Sequence, residues 1–287
     1  MAADIPSIQH QIWLRDAETQ KVMSALNDGA TARFVGGCVR NALLAVPVSD
    51  VDIATSDDPA GSTAKLEAAG FKVVPIGADH GTVMAVGAER NYEVTTLRVD
   101  VETDGRHADV AFTQDWQGDA ERRDFTMNAL YADADGTVHD PLGGYDDLKA
   151  RRVRFIGDAD TRIKEDYLRI LRLFRFHAAY GEGELDAPSL QACAANRDGL
   201  AQLSAERIQV ELLKLLGADN AAPVVRAMAA AGIMGDVLPE ASRLDRFERV
   251  LDIEVTQLFS SDPMLRLGAI VDGEEAAASA AKHLRLS

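Results

Sequence analysis

The sequence predicts an α+β chain, a mixed α/β unit followed by an almost wholly helical remainder. Two observations predict it. Short apolar or alternating runs broken by glycine fill the first hundred residues, as strands and short helices require. Beyond Gly143 the pattern changes to helical periodicity, in Ile163–Tyr180, Ala205–Leu216, Val224–Ala231 and Arg243–Leu258. With 47% hydrophobic and 26% charged residues, the 287-residue chain has an ordinary globular composition and ample length for a core.

Taken in order, Ile12, Trp13, Val22, Met23 and Leu26 give a helix within residues 7–27, stopped by Asp28-Gly29. Ala32–Val35 reads as a strand ending at Gly36-Gly37, and Cys38–Leu44 as a helix. Val51, Ile53 and Thr55 alternate with Asp50, Asp52 and Ala54, which suits a half-buried strand. Pro59 opens a helix that Gly70 closes. Strands follow at Phe71–Pro75, Gly81–Val86 and Tyr92–Leu97. Residues 99–118 are polar and glycine-broken, and read as a mobile loop. Ala276–Ala281 is short and helical in character.

The chain carries 30 basic against 46 acidic side chains, a formal charge of −16, which argues at first against a nucleic-acid partner. The charge is uneven, however. Residues 151–180 hold 8 basic and 4 acidic side chains, so a local site for phosphates survives the global acidity. Two cysteines, Cys38 and Cys193, are too few for a disulfide framework and fit a reduced cytoplasmic compartment. Residues 1–20 lack the features of a signal peptide, and no apolar run suggests a membrane span. No protein partner is evident.

Three clusters carry chemistry. Gly36 and Gly37, between a strand and a helix bearing Arg40, permit close approach of an anion. Asp50 and Asp52, at i and i+2, project from one strand face and call for a divalent cation such as magnesium. Glu93 on a later strand is either a third carboxylate or an exposed strand residue. Separately, Gly-Gly and Asp-x-Asp are common; in strand–glycine–helix–strand order they point to metal-assisted phosphoryl or nucleotidyl transfer. The second cluster is Arg122, Arg123 and Asp124, followed by Asn128, either a guanidinium fork for a triphosphate or a solvated helix start. The third is Glu165, Asp166, Arg169, Arg172 and Arg175. Asp166, Arg169 and Arg172 at spacing three share one helical face, and Leu168, Leu171 and Phe174 lie on another. Asp and Arg together can read a base edge, though an amphipathic helix with an Asp–Arg pair explains the segment equally well.

The segments VGGCVRNALL, DVDIATSDDP, HGTVMAV, YEVTTLR, RRDFTMNAL, DPLGGYDDL, EDYLRILRLFRF and SAERIQVELLKLL occur in this order. Together they resemble the bacterial class II tRNA nucleotidyltransferase (CCA-adding enzyme) and poly(A) polymerase family, over nearly the whole chain and most strongly over residues 33–216. The resemblance implies a polymerase-beta-like nucleotidyltransferase head over 1–140, a helical neck over 141–200 and a helical body over 201–287. It implies a template-independent enzyme that adds C, C and A to the 3′ end of tRNA from CTP and ATP, releasing pyrophosphate by a two-metal mechanism. Poly(A) polymerase, CC-adding or A-adding activity are alternatives on the same scaffold. A non-catalytic RNA- or nucleotide-binding module is the alternative of another class.

By the same resemblance, Asp50 and Asp52 hold Mg2+ with Glu93 assisting, and Gly36, Gly37 and Arg40 contact the triphosphate. Arg122, Arg123, Asp124 and Asn128 lie against the nucleotide. Asp166 and Arg169 form a protein template for the base, supported by Arg172, Glu165 and Arg175, while Glu206 and Arg207 brace the neck helix. The segment 99–118, with Arg98, Arg106 and His107, resembles a flexible loop that helps switch from C to A addition. Two departures stand out. Asn41 occupies a position where the family usually has Asp, and the chain ends inside what resembles the body, as a shortened or unusually short member would.

Overall fold

The computed structural model describes residues 5–77, 81–104 and 107–286. The chain divides into two compact units, residues 1–150 and 151–287. No helix among the described residues is long and apolar enough to cross a membrane.

The first unit is built on a seven-stranded mixed sheet. Its strands are β1 (Ala32–Val35), β2 (Val51–Thr55), β3 (Lys72–Gly77), β4 (Thr82–Val86), β5 (Asn91–Thr96), β8 (Tyr131–Ala132) and β9 (Val138–His139), in the order β3-β4-β5-β2-β1-β8-β9. The β2–β5 pair is parallel and the other pairs are antiparallel. Helices α1 (Ile12–Arg15), α2 (Ala17–Leu26), α3 (Gly37–Leu43), α4 (Pro59–Ala68), α5 (Trp116–Glu121) and α6 (Gly144–Lys149) complete the unit.

Register sorts the side chains between the two faces of the sheet. Phe34, Ile53, Val94 and Val83 are paired in succession and buried. The period of two therefore assigns Asp52 and Glu93, themselves a register pair, to the opposite face. Met23 on α2 and Leu66 on α4 are fully buried in the apolar layer.

The described residues of 99–118 do not form a loop. Strands β6 (Arg98–Asp104) and β7 (His107–Phe112) pair antiparallel as a separate two-stranded sheet, and α5 follows. The sequence held the signal: Val99 and Val101 before Asp104-Gly105, and Ala108, Val110 and Phe112 after it, alternate with polar or small residues, the pattern of a hairpin. Arg106 lies outside the described residues.

The second unit is helical: α7 (Ala159–Glu165), α8 (Leu168–Tyr180), α9 (Ala187–Ala195), α10 (Ala205–Leu216), α11 (Ala221–Ala230), α12 (Ile233–Val237), α13 (Leu244–Gln257), α14 (Pro263–Ile270) and α15 (Glu274–His283). Leu168, Leu171 and Phe174 of α8 are buried, as their spacing predicts. The segment expected as one helix over Ile163–Tyr180 is two. Asp166 adopts an extended conformation (φ −155°, ψ 106°) and breaks it. Its Oδ1 accepts from the Leu168 amide at 3.1 Å, the competition by which Asp terminates and restarts helices. Asp166 therefore precedes the helix that carries Arg169 and Arg172 rather than sharing its face.

Buried charge ties three helices of this unit together. Arg266 on α14 donates to Glu254 Oε2 on α13 at 2.7 Å and to the Leu216 and Ala218 carbonyls at 2.6 and 2.7 Å. Both side chains are buried, and the additional acceptors offset the desolvation of the guanidinium.

Candidate active site

In the first unit the site begins where β1 turns into α3. Gly36 has φ +69°, a left-handed conformation that costs a residue with a Cβ. A Cβ there would meet Arg123 Nη1 and the Asn128 carbonyl only at 3.7 Å, so conformation rather than space calls for glycine. Helix α3 has seven residues, so its dipole is short. The site's positive character comes instead from Arg40 and Arg123.

Arg40 is buried and central to a polar chain. Its Nη1 donates to Asn128 Oδ1 at 2.5 Å; its Nε and Nη2 donate to Asn41 Oδ1 at 3.1 and 2.9 Å. Asn128 Nδ2 in turn donates to Asp124 Oδ1 at 3.0 Å, which also accepts from the Phe125 amide. Residues from two of the predicted clusters thus form one network. The DPLGGYDDL segment supports it, since Asp147 on α6 accepts from the Thr126 hydroxyl at 2.7 Å, two residues from Asn128.

Arg122 and Arg123 converge on Asp119, which sequence reasoning missed. Arg122 Nε donates to Asp119 Oδ1 at 2.8 Å; Arg123 Nη2 and the Tyr131 hydroxyl donate to Oδ2 at 2.9 and 2.8 Å. Burial alone would raise the Asp119 carboxyl, but Arg123, Arg122 and Tyr131 hold it below the usual carboxylate range. The available signal was spacing: Asp119 lies three and four residues before the two arginines.

The carboxylates stand on adjacent strands. Asp52 is half-buried on β2, Asp50 is exposed immediately before that strand, and Glu93 is exposed on β5, paired in register with Asp52. Burial, then repulsion from Glu93 and Asp50, raises Asp52 to about 6 against the opposing pull of Arg123 and Arg40. Among the described residues no three carboxylate, imidazole or thiol groups form a preset metal cage. The donor set still fits a hard divalent cation of the kind that takes one or two carboxylates and completes its shell with water and phosphate. On α3, the Cys38 thiol donates to the Asp52 carbonyl at 3.7 Å, and burial pushes it up to about 12.

In the second unit the predicted template residues are tightly held. Glu165 Oε2 accepts from both Arg162 and Arg169. Arg169 also donates to the Arg162 carbonyl at 2.7 Å. Asp166 Oδ2 pairs with Arg207 at 2.7 Å, and Glu206 pairs with Arg285. Arg172 and Arg175 lie 3.7 and 2.5 Å from the buried carboxylate of Glu211 on α10. Sequence reasoning missed Arg162 and Glu211. A glutamate on the apolar face of an otherwise regular amphipathic helix was the signal for Glu211.

The family model described as "Poly A polymerase head domain" matches residues 32–154, and "Probable RNA and SrmB- binding site of polymerase A" matches residues 184–244. The mitochondrial CCA tRNA nucleotidyltransferase 1 of Mus musculus is 44% identical over 242 residues, covering 83% of this chain and 55% of the relative. The CCA-adding enzyme of Geobacillus thermodenitrificans is 41% identical over 207 residues, covering 71% of this chain and 50% of the relative. The crystal structure of the Bacillus stearothermophilus CCA-adding enzyme in complex with CTP superposes with a TM-score of 0.71 at 36% identity, covering 80% of this chain and 55% of that one. The chain thus spans about half the length of the curated relatives it matches. With the head-domain match running through the strand–glycine–helix turn and the carboxylate strands, and a relative 44% identical over 83% of the chain, the chain belongs to the class II family of CCA-adding enzymes and poly(A) polymerases.

Proposed function

We propose that the protein is a template-independent nucleotidyltransferase that adds C, C and A to the 3′ end of tRNA from CTP and ATP. The observation that carries this reading is the in-register pair Asp52–Glu93, with Asp52 within electrostatic reach of Arg40 in the Arg40–Asn128–Asp124 network, in a chain 44% identical to a named CCA tRNA nucleotidyltransferase. In the reaction the RNA 3′-hydroxyl oxygen attacks the α-phosphorus. The bond from that phosphorus to the bridging oxygen breaks, pyrophosphate leaves with the electron pair, and the hydroxyl proton passes to solvent.

Asp50 and Asp52 would hold Mg2+, with Glu93 adding negative charge beside them. The cation supplies polarisation of the hydroxyl and neutralisation of charge on the leaving group. Arg40 and Arg123, near enough to Asp52 to oppose the rise of its pKa, offer guanidinium donors to phosphate oxygens. Arg122 and Asp119 keep Arg123 aimed.

Asp166 and Arg169 are our assignment for base selection. Cytosine and adenine each present an amino donor beside a ring-nitrogen acceptor. An acceptor carboxylate next to a donor guanidinium matches that pair in both bases and mismatches uracil and guanine. Both Asp166 oxygens already accept one bond each, and a carboxylate has lone pairs for more. We assign the compartment as cytoplasmic on the two unpaired, buried cysteines.

The test is incubation with tRNA lacking its 3′ CCA and each labelled NTP in turn, with Asp50→Ala as the control. Sequential C, C, A incorporation that vanishes in the variant is expected. Long heterogeneous tails from ATP alone would overturn the CCA assignment in favour of poly(A) synthesis.

A further inference from the structure

Helix α3 carries Arg40 and ends seven residues before Asp50. Residues 46–50 have no regular secondary structure, so something other than a strand or helix must fix where the Asp50 carboxylate stands. The chain reverses at Ala45, whose φ is +55°. Val46 N donates to the Asn41 carbonyl at 2.9 Å and Ala45 N to the Ala42 carbonyl at 3.3 Å, the paired bonds of a Schellman helix end. Asn41 adds a side-chain bond that this motif does not require. Its Nδ2 donates to the Pro47 carbonyl at 2.9 Å. Its Oδ1 accepts from both Arg40 Nε and Nη2.

The two partners fix the amide orientation. Arginine only donates and a carbonyl only accepts, so oxygen faces Arg40 and nitrogen faces Pro47. An aspartate could satisfy Arg40, but its second oxygen would stand against the Pro47 oxygen. A neutral side chain that is donor and acceptor at once is required here.

We propose that Asn41 is a positioning residue: it fastens the segment bearing Asp50 to the arginine that faces the phosphates, and so sets the distance between cation and triphosphate. The proposal rests on the reading of Asp50 and Asp52 as cation ligands.

The test uses Mn2+ alone, its binding followed by the electron paramagnetic resonance of the free ion, on the full chain. Asn41→Asp, nearly isosteric, is expected to weaken Mn2+ binding by roughly tenfold, the loss of one bond together with an oxygen–oxygen contact. In an Asp50→Asn background the same substitution is expected to change Mn2+ affinity by less than about twofold, because the coupled partner is gone. In turnover, kcat for CMP incorporation falls while the KM for CTP moves little, since Arg40 keeps its acceptor. Asn41→Ala, which removes both contacts, replaces Asn41→Asp if the latter does not fold.

Unchanged Mn2+ affinity in Asn41→Asp overturns the proposal, as does equal weakening with and without Asp50. A raised KM for CTP with Mn2+ binding intact also overturns it, because Asn41 would then act through Arg40 alone. Wild-type Mn2+ binding that ignores Asp50→Asn overturns the ligand assignment and this inference together. Asp50-dependent binding that ignores Asn41 overturns this inference alone.

Discussion

Asp52 illustrates how function is held against stability at a single side chain. Burial and the neighbouring Glu93 raise its folded pKa to about 6, above the unfolded value. A carboxyl shifted in that direction costs no stability below the unfolded pKa and destabilises increasingly as pH rises from about 4 to 6. Asp52→Asn should therefore melt higher than the wild type at pH 8 in metal-free buffer, equal it at pH 4, and lose incorporation entirely; thermal scans at the two pH values check this. Arg169 is predictable in a different way. Glu165 and the Arg162 carbonyl hold its guanidinium, so removing it leaves a carboxylate with one cation fewer. Arg169→Ala should relax selection, with UTP or GTP incorporation rising relative to CTP by about tenfold or more. Discrimination unchanged across the four labelled NTPs would contradict the assignment.

Among the elements, the break between α7 and α8 matters most. Tyr167 sits in it, and Gly199 in the 3₁₀ turn Arg197–Gln202 packs so closely that a Cβ would lie 2.0 Å from the Tyr167 ring. Gly199→Ala must displace either the turn or the ring, at about 2 kcal/mol. Because the ring adjoins Asp166, the variant should lose base discrimination as well as stability, which denaturation and misincorporation assays read separately. Arg266 makes the complementary case. Arg266→Met leaves Glu254 buried without its cation and should cost about 3 kcal/mol. Incorporation by the fraction still folded at low temperature should be unchanged. The elements themselves were largely legible in the sequence where the signal was local. Alternation marked β2, Pro59 and Gly70 bracketed α4, and Gly36-Gly37 marked the turn into α3. What escaped was either a local pattern taken for its opposite, as with the β6–β7 hairpin, or a partner defined only by folding. Glu211 is remote in sequence from Arg175, and nothing in the Asn41 neighbourhood announces that its amide reaches Pro47. The Asp166 break was hidden because helical periodicity continues through it.

For the whole molecule, the balance of charge governs how it meets a polyanion. A chain of net charge −16 repels RNA everywhere except where arginines collect, so association depends on few contacts. Raising salt from about 50 to 200 mM should weaken tRNA affinity by about tenfold or more while the KM for CTP changes far less; filter binding and kinetics at both salts check it. Each compact unit also holds one buried, unpaired thiol, Cys38 in residues 1–150 and Cys193 in residues 151–287. Burial raises both thiols well above their ordinary pKa, so neither is an effective nucleophile while its surroundings stay closed. Alkylation can then proceed only through opening, and its rate at each cysteine clocks the opening of that half of the molecule. The protein carries its own pair of stability reporters, one per unit, readable by mass spectrometry without adding a label.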